Sequence, residues 1–353
     1  MNHHRLAPGE KEARAKERAG QRKLLGSNRA PKGGRRAFPE IKPADLEVLS
    51  VQRMRLSAAV RAPGTLAAYA KDWRLFCEWC TTNSLPSLPV AKEHLALYLA
   101  AELNTGYRIT TCTRRVAAIV YYHRAAGLPS PCAGGEIALL LSGAQRIRRE
   151  KPLQKEPISI AHLQQICATP ALDPVSIRNR AVLLFGFATA LRRSNIVALD
   201  LADLEFSEQG FVVHVSFSKT DQKGRGFDVA VPVGQHDTCP VKALLVWLLC
   251  RGNAPGPLFR RVHAEESLGP NLGRLNSYTI SRIVKAAVKK LGLDPGAYAA
   301  HSLRAGLVTE GFGNGVDHVL IMKQTGHKSF KSLERYFREK DLFKSNTISS
   351  LGL

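Results

Sequence analysis

Six side chains in the second half of the chain have the types and order needed to break a phosphodiester bond: Arg192, Lys219, His301, Arg304, His327 and Tyr336. Arginine presents a planar fork of N–H donors, so two arginines can hold the nonbridging oxygens of a phosphate and offset the charge that builds in a pentacoordinate transition state. Lysine is a compact, mobile donor suited to protonating a departing alkoxide. Histidine titrates near neutrality and can take a proton from a nucleophile. A phenol attacks weakly at its ordinary pKa of about 10, and nearby cations favour the phenolate. Together these groups would cleave a phosphodiester with no metal and no other cofactor. His301 and Arg304 stand three residues apart, so a helix places them on one face.

The words that carry these residues are TALRRSNIVAL (189–199), SKTDQKGRG (218–226), HSLRAG (301–306) and TGHKSFKSLERYF (325–337). Their order, with His327 twenty-three residues after Arg304 and Tyr336 nine after His327, resembles the tyrosine recombinase (phage integrase) family. The helical first half ending in GAQRIRRE, together with CPVKALLVWL (239–248), looks most like its Cre-like branch. The resemblance implies a two-domain DNA clamp that is mainly α with a small antiparallel β-sheet or hairpin. An all-α, SAM-like core-binding domain would precede an α+β catalytic domain.

Carried over by position, the resemblance implies that Arg192 and Arg304 clamp the scissile phosphate and Lys219 acts as general acid towards the 5′ oxygen. His301 would assist proton transfer, His327 would hydrogen-bond the phosphate, and Tyr336 would form a 3′-phosphotyrosyl link. The bond energy is kept in that link, so no ATP is implied. Arg193 and Lys223 stay open as neighbouring alternatives to Arg192 and Lys219. Choosing Arg192 puts Ile196 and Leu199 at apolar helix positions and Asn195 where members usually carry an acidic residue. Asparagine keeps an acceptor and loses the charge, which implies reduced rate rather than inactivity. The family's partners are double-stranded DNA and three further copies of the chain, a homotetramer passing through a Holliday junction. A noncatalytic DNA-binding relative is the rival reading, and supercoil relaxation by the same tyrosine chemistry is a third.

The elements that must position these groups read as follows. Residues 1–42 form a basic arm with almost no large apolar side chains, which predicts disorder. Residues 43–148 show helical periodicity in about five helices, including one capped by Thr65 and one over about 110–126. A charged linker, 149–157, follows, where Pro152 and Pro157 stop helix. The catalytic region is 158–340, with a β-hairpin whose strands alternate at Phe211, Val213, Val215 and Phe217 and again at Phe227, Val229 and Val231. Residues 341–353 are expected to dock on a neighbouring protomer.

Composition agrees with a polyanionic partner. The chain has 353 residues, with 51 Lys and Arg against 29 Asp and Glu, a formal charge of +22. That excess speaks against an enzyme of small acidic metabolites and for nucleic acid ahead of a membrane surface. Candidate groove contacts are Arg108, Thr111 and Arg115 in the first domain and Arg282, Lys285 and Lys289 in the second, where the last three face away from an apolar stripe. No apolar run reaches membrane-spanning length, the first residues lack the apolar segment of a secretory signal, and seven cysteines show no framework spacing. A cytoplasmic, nucleoid-associated protein of bacterial or phage origin is expected. Cys77 and Cys80 form a CxxC with no second pair, which reads as packing rather than zinc. The glycines of GFGNG (311–315) follow a helix rather than a strand, so no dinucleotide fingerprint is read there.

Overall fold

The structure, a computed structural model, describes residues 61–151, 153–216, 226–262, 273–334 and Tyr336. They fall into two compact units that divide between Leu153 and Gln154.

The first unit is helical: α1 (Pro63–Thr82), α2 (Lys92–Asn104), α3 (Ile109–Ala125) and α4 (Glu136–Arg148). Helix α1 begins at Pro63, two residues before the Thr65 cap expected from sequence. Proline's fixed φ and missing N–H suit the first helical position, so no side-chain cap is needed. Phe76, Leu95, Tyr98, Leu99, Cys112 and Ile119 are wholly buried and form the core, each large apolar side chain contributing about 1.5–3 kcal/mol. Cys80 belongs to that core as well, and burial followed by the nearby Cys77 pushes its thiol up to about 11, as expected for packing rather than ligation.

An ionic knot joins α1, α2 and α3. Asp72 is buried and accepts two hydrogen bonds from Arg114, from Nε at 2.7 Å and Nη2 at 3.0 Å. Arg115, also buried, pairs with Glu102 and donates to the Tyr98 hydroxyl at 3.1 Å. Its guanidinium lies 4.2 Å from the centroid of the Tyr107 ring.

The second unit contains α5 (Ile160–Ala168), α6 (Pro174–Thr189), α7 (Arg193–Ala198), a three-residue 3₁₀ turn (Leu201–Asp203), β1 (Leu204–Ser207), β2 (Gly210–Val215) and β3 (Phe227–Pro232). It continues with α8 (Pro240–Arg251), α9 (Ser277–Lys290), α10 (His301–Gly313), α11 (His318–Thr325) and the short α12 (Lys331–Glu334). The sheet is antiparallel in the order β1-β2-β3, with Val213 opposite Val229 and Phe211 opposite Val231. Those four side chains are buried against α6 and α8, the alternation expected of a half-buried hairpin. The strand β1 was not expected from sequence, and its reason is local: four residues with one buried side chain give almost no period to read. Among the described residues no helix is long and apolar enough to cross a membrane.

The apolar core of this unit is centred on α6, which is buried nearly all round. Helix α10 packs closely because Gly306 has no side chain: a β-carbon there would collide with the Ile158 carbonyl ahead of α5 and with the Phe187 ring of α6. Leu303 covers Gly186 of α6 in the same way. This contact holds the first turn of α10 against the end of α6.

Candidate active site

Four of the six expected residues meet where the first turn of α10, the end of α11 and Tyr336 come together, and a fifth acts on them through its charge. Arg304 is the hub. It is 2% exposed, donates from Nη1 to the Ala190 carbonyl at 2.7 Å, and donates from Nη2 to His327 Nε2 at 2.8 Å. Ala190 can turn its carbonyl inward because it ends α6 with φ at +48°, a left-handed conformation uncommon for a residue with a β-carbon. The backbone then leads directly into Arg192, the cap of α7.

His327 follows α11 across Gly326, whose φ of +67° closes that helix. The Phe227 ring lies 3.0 Å from where a β-carbon of Gly326 would sit, so β3 and the end of α11 are fitted to each other. Gln324 ties the end of α11 to α6 by donating to the Ala188 carbonyl at 2.7 Å, and its amide also lies 3.4 Å from the Ala230 carbonyl of β3. His327 Nδ1 lies 2.6 Å from Thr325 Oγ1. The Tyr336 hydroxyl lies 3.3 Å from His301 Nε2, and its ring centroid is 5.7 Å from that of His301 and 5.8 Å from that of His327.

The electrostatics follow from crowding cations in a largely buried site. Burial holds Arg304 below its ordinary value; the charge of Arg192 acts the same way, while Tyr336 acts against it. Burial, then Arg304 and Arg192, holds His301 below 6.5. The same causes, joined by His301, push His327 down to about 3. Both imidazoles are therefore neutral at pH 7. A neutral His301 next to the phenol can accept its proton, and a buried arginine held by neutral acceptors keeps its charge for an incoming anion.

Of the other expected residues, Lys219 and its alternative Lys223 lie outside the described residues, between β2 and β3. The Arg193 guanidinium lies 4.6 Å from the Tyr278 ring centroid, whereas the charge of Arg192 acts on Arg304, His301 and His327. Asn195 is buried in the first turn of α7 and takes a hydrogen bond from Ser194 Oγ at 3.3 Å. Arg282, Lys285 and Lys289 are exposed on α9, opposite its buried Ile280, Ile283, Val284, Ala287 and Val288. Arg108 is half-buried and pairs with Glu150 at 3.4 Å, while Thr111 lies half-buried one turn further on.

Arg115 is a correction. It was expected on a DNA-facing surface, but it is 3% exposed and committed to Glu102, Tyr98 and Tyr107 inside the first unit. A buried guanidinium already paired with a carboxylate has no face left for a phosphate. Two contributors to the site were not anticipated. One is the Ala190 carbonyl, which only the turn geometry reveals. The other is Thr325, for which a hydroxyl two residues before His327 was the available signal.

Comparison with known proteins is consistent with this geometry. The phage integrase family profile matches residues 158–342. An integrase/recombinase XerD homologue of Selenomonas ruminantium is 34% identical over 310 residues, covering 86% of this chain and 90% of that protein. The recombinase Cre of Escherichia phage P1 is 23% identical over 288 residues, covering 76% of this chain and 82% of that protein. In fold, a lambda integrase tetramer bound to a Holliday junction matches with a TM-score of 0.54 at 16% identity, covering 92% of this chain and 86% of that chain. The extent of the profile match and the 34% identity place this chain in the phage integrase family, the tyrosine recombinases.

Proposed function

We propose that the chain cuts and rejoins duplex DNA at specific sites through a covalent bond to Tyr336. The observation that carries this reading is the meeting of Arg304, His327, His301 and Tyr336, with the charge of Arg192 acting on the same groups. The Tyr336 oxygen attacks the scissile phosphorus as its proton passes to His301. The bond to the 5′ oxygen breaks, and Lys219 protonates that oxygen. Arg192 and Arg304 hold the nonbridging oxygens and offset the extra negative charge. The 3′-phosphotyrosyl link keeps the energy of the broken bond, so a 5′ hydroxyl from a second strand reverses the step without ATP. Charge stabilisation comes from guanidinium groups, so the scheme calls for no metal.

Exchange between two duplexes needs four such centres, hence a homotetramer and a Holliday junction. Residues 341–353 would dock on the next protomer, where an apolar groove of about 360 Å³, lined by Phe187, Leu307, Val316, Leu320 and Ile321, offers a receiving surface. The 158–340 region would be catalytic, 43–148 would bind the core site, 149–157 would link them, and the basic arm 1–42 would add phosphate contacts. The buried Asn195, uncharged where members usually carry an acid, favours a second reading as a noncatalytic DNA-binding relative.

A nicked suicide substrate containing the cognate site separates the two. The recombinase reading expects a covalent protein–DNA band with the wild type. Tight binding with no band would support the noncatalytic reading instead.

A further inference from the structure

The site residues stand on separate elements. Arg192 follows the turn that ends α6, and His327 follows the end of α11. The last four carbonyls of a helix have no partner within it, so the end of α6 offers acceptors to whatever packs there. Ala188 is the next-to-last residue of α6, and its carbonyl accepts from Gln324 Nε2 at 2.7 Å. Gln324 is the next-to-last residue of α11 and stands three positions before His327. The same nitrogen lies 3.4 Å from the Ala230 carbonyl of β3. A carbonyl can only accept, so the end of the amide turned to both is its NH₂, and its two hydrogens match the two acceptors. These bonds close a circuit. It runs from the end of α6 through Ala190 and Arg304 to His327 and the end of α11, then back through Gln324 to Ala188. The Phe227 ring packed on Gly326 brings β3 and α11 together as well, but apolar contact has no direction, whereas the amide bonds have one.

We propose that Gln324 is a positioning residue: by anchoring the end of α11 to the end of α6 and to β3, it holds His327 at the distance from Arg304 and Arg192 that a shared phosphate requires. Gln324 acts through His327 and not on the DNA. Its side chain lines the apolar groove beside Leu320 and Ile321, so a leucine of similar size fits the same place and lacks only the donors. The part of this inference that concerns the phosphate rests on the recombinase reading; the tie between the two helix ends does not.

The test uses the full chain with Gln324→Leu and Gln324→Glu, each alone and combined with His327→Ala. Glutamate keeps the shape of glutamine and, ionised at pH 7, has no hydrogen to give either carbonyl. Both single variants are expected to slow covalent-complex formation on the suicide substrate by about five-fold to ten-fold at saturating DNA, with DNA affinity unchanged. In the His327→Ala background the same changes should cost less than about two-fold, because the side chain they misplace is gone. Hydrogen exchange supplies a readout that needs no DNA. Gln324→Leu is expected to speed exchange in 186–192 and 322–328 together, with α8 and α9 as in the wild type. A wild-type rate in Gln324→Glu overturns the proposal, as does an equal loss with and without His327, which would mark a general effect on the fold. Faster exchange confined to 322–328, or spread over the whole unit, also overturns it. If the wild type forms no covalent complex, the recombinase reading fails, and exchange at the two helix ends still decides the tie.

Discussion

Arg115 and Arg304 are both buried, and they sit in opposite electrostatic settings. Arg115 is neutralised within the first unit by Glu102, with Asp72 4.0 Å away, and it donates a hydrogen bond to the Tyr98 hydroxyl. Arg304 in the second unit is held by a carbonyl and an imidazole, with no carboxylate among its described partners and with Arg192 raising the local positive potential. A buried cation with its own anion is structural. A buried cation fixed by neutral acceptors carries an unspent charge, which an external phosphate can complete.

The same substitution at the two positions should therefore have opposite consequences. Arg304→Met is expected to lower covalent cleavage by about 100-fold to 1000-fold, as for removal of a charge-stabilising donor, with DNA binding nearly unchanged. With Asp72 still held by Arg114, Arg115→Met leaves the Glu102 carboxylate without its buried partner. It should cost about 3–5 kcal/mol in the first unit, read as a lower denaturation midpoint, and leave cleavage per folded molecule intact. If Arg115→Met abolished cleavage in folded protein, or Arg304→Met acted only through unfolding, the contrast would be wrong.

Acid should also distinguish the regions, through the histidines of the second unit. His301 must be neutral to take the phenol's proton, and its pKa in the folded protein lies below 6.5. Cleavage should accordingly persist as pH falls past 6.5 and reach half its maximum only at a lower pH. A midpoint at or above 6.5 would contradict the assignment. His327 adds a stability effect of definite sign. Its folded value of about 3 lies below the ordinary 6.5, so the unfolded chain takes up a proton that the native ring refuses. Stability is then fully present above about 6.5 and falls as pH drops towards 3, and thermal melts of His327→Gln should show a shallower decline.

Two smaller effects refine the picture. Asn195→Asp should raise the cleavage rate by up to about ten-fold if an uncharged residue there limits the site, and no change would remove the argument for weakened support. Replacing Arg282, Lys285 and Lys289 by glutamine should lessen the salt dependence of DNA binding, the slope falling by about 0.9 for each phosphate that is no longer neutralised. Cleavage at saturating DNA should remain. An unchanged slope would take the exposed face of α9 out of the interface.

What was legible in the sequence depended on how local the cause was. The face of α9 could be read because Ile280, Ile283, Val284, Ala287 and Val288 repeat at helical spacing, and the hairpin because Phe211, Val213 and Val215 alternate. His301, Arg304, His327 and Tyr336 could be singled out because their types and order are specific to one chemistry. The fate of Arg115 could not, since it is decided by Asp72 and Glu102 on other helices, brought near only by packing. The role of Ala190 was equally hidden, because a carbonyl has no letter in the sequence and its direction comes from a positive φ. Thr325 was in plain sight within TGH, but its contact with His327 comes only with the fold.

The central claim is that the hub around Arg304 activates Tyr336 as a nucleophile towards DNA. Its most direct test is to trap the covalent complex on a suicide substrate, digest it with protease and sequence the peptide that remains on the DNA. The account predicts a peptide containing Tyr336 linked to a 3′ phosphate, with no covalent complex from Tyr336→Phe. A link through another residue, a link to a 5′ phosphate, or a complex that survives Tyr336→Phe would contradict it.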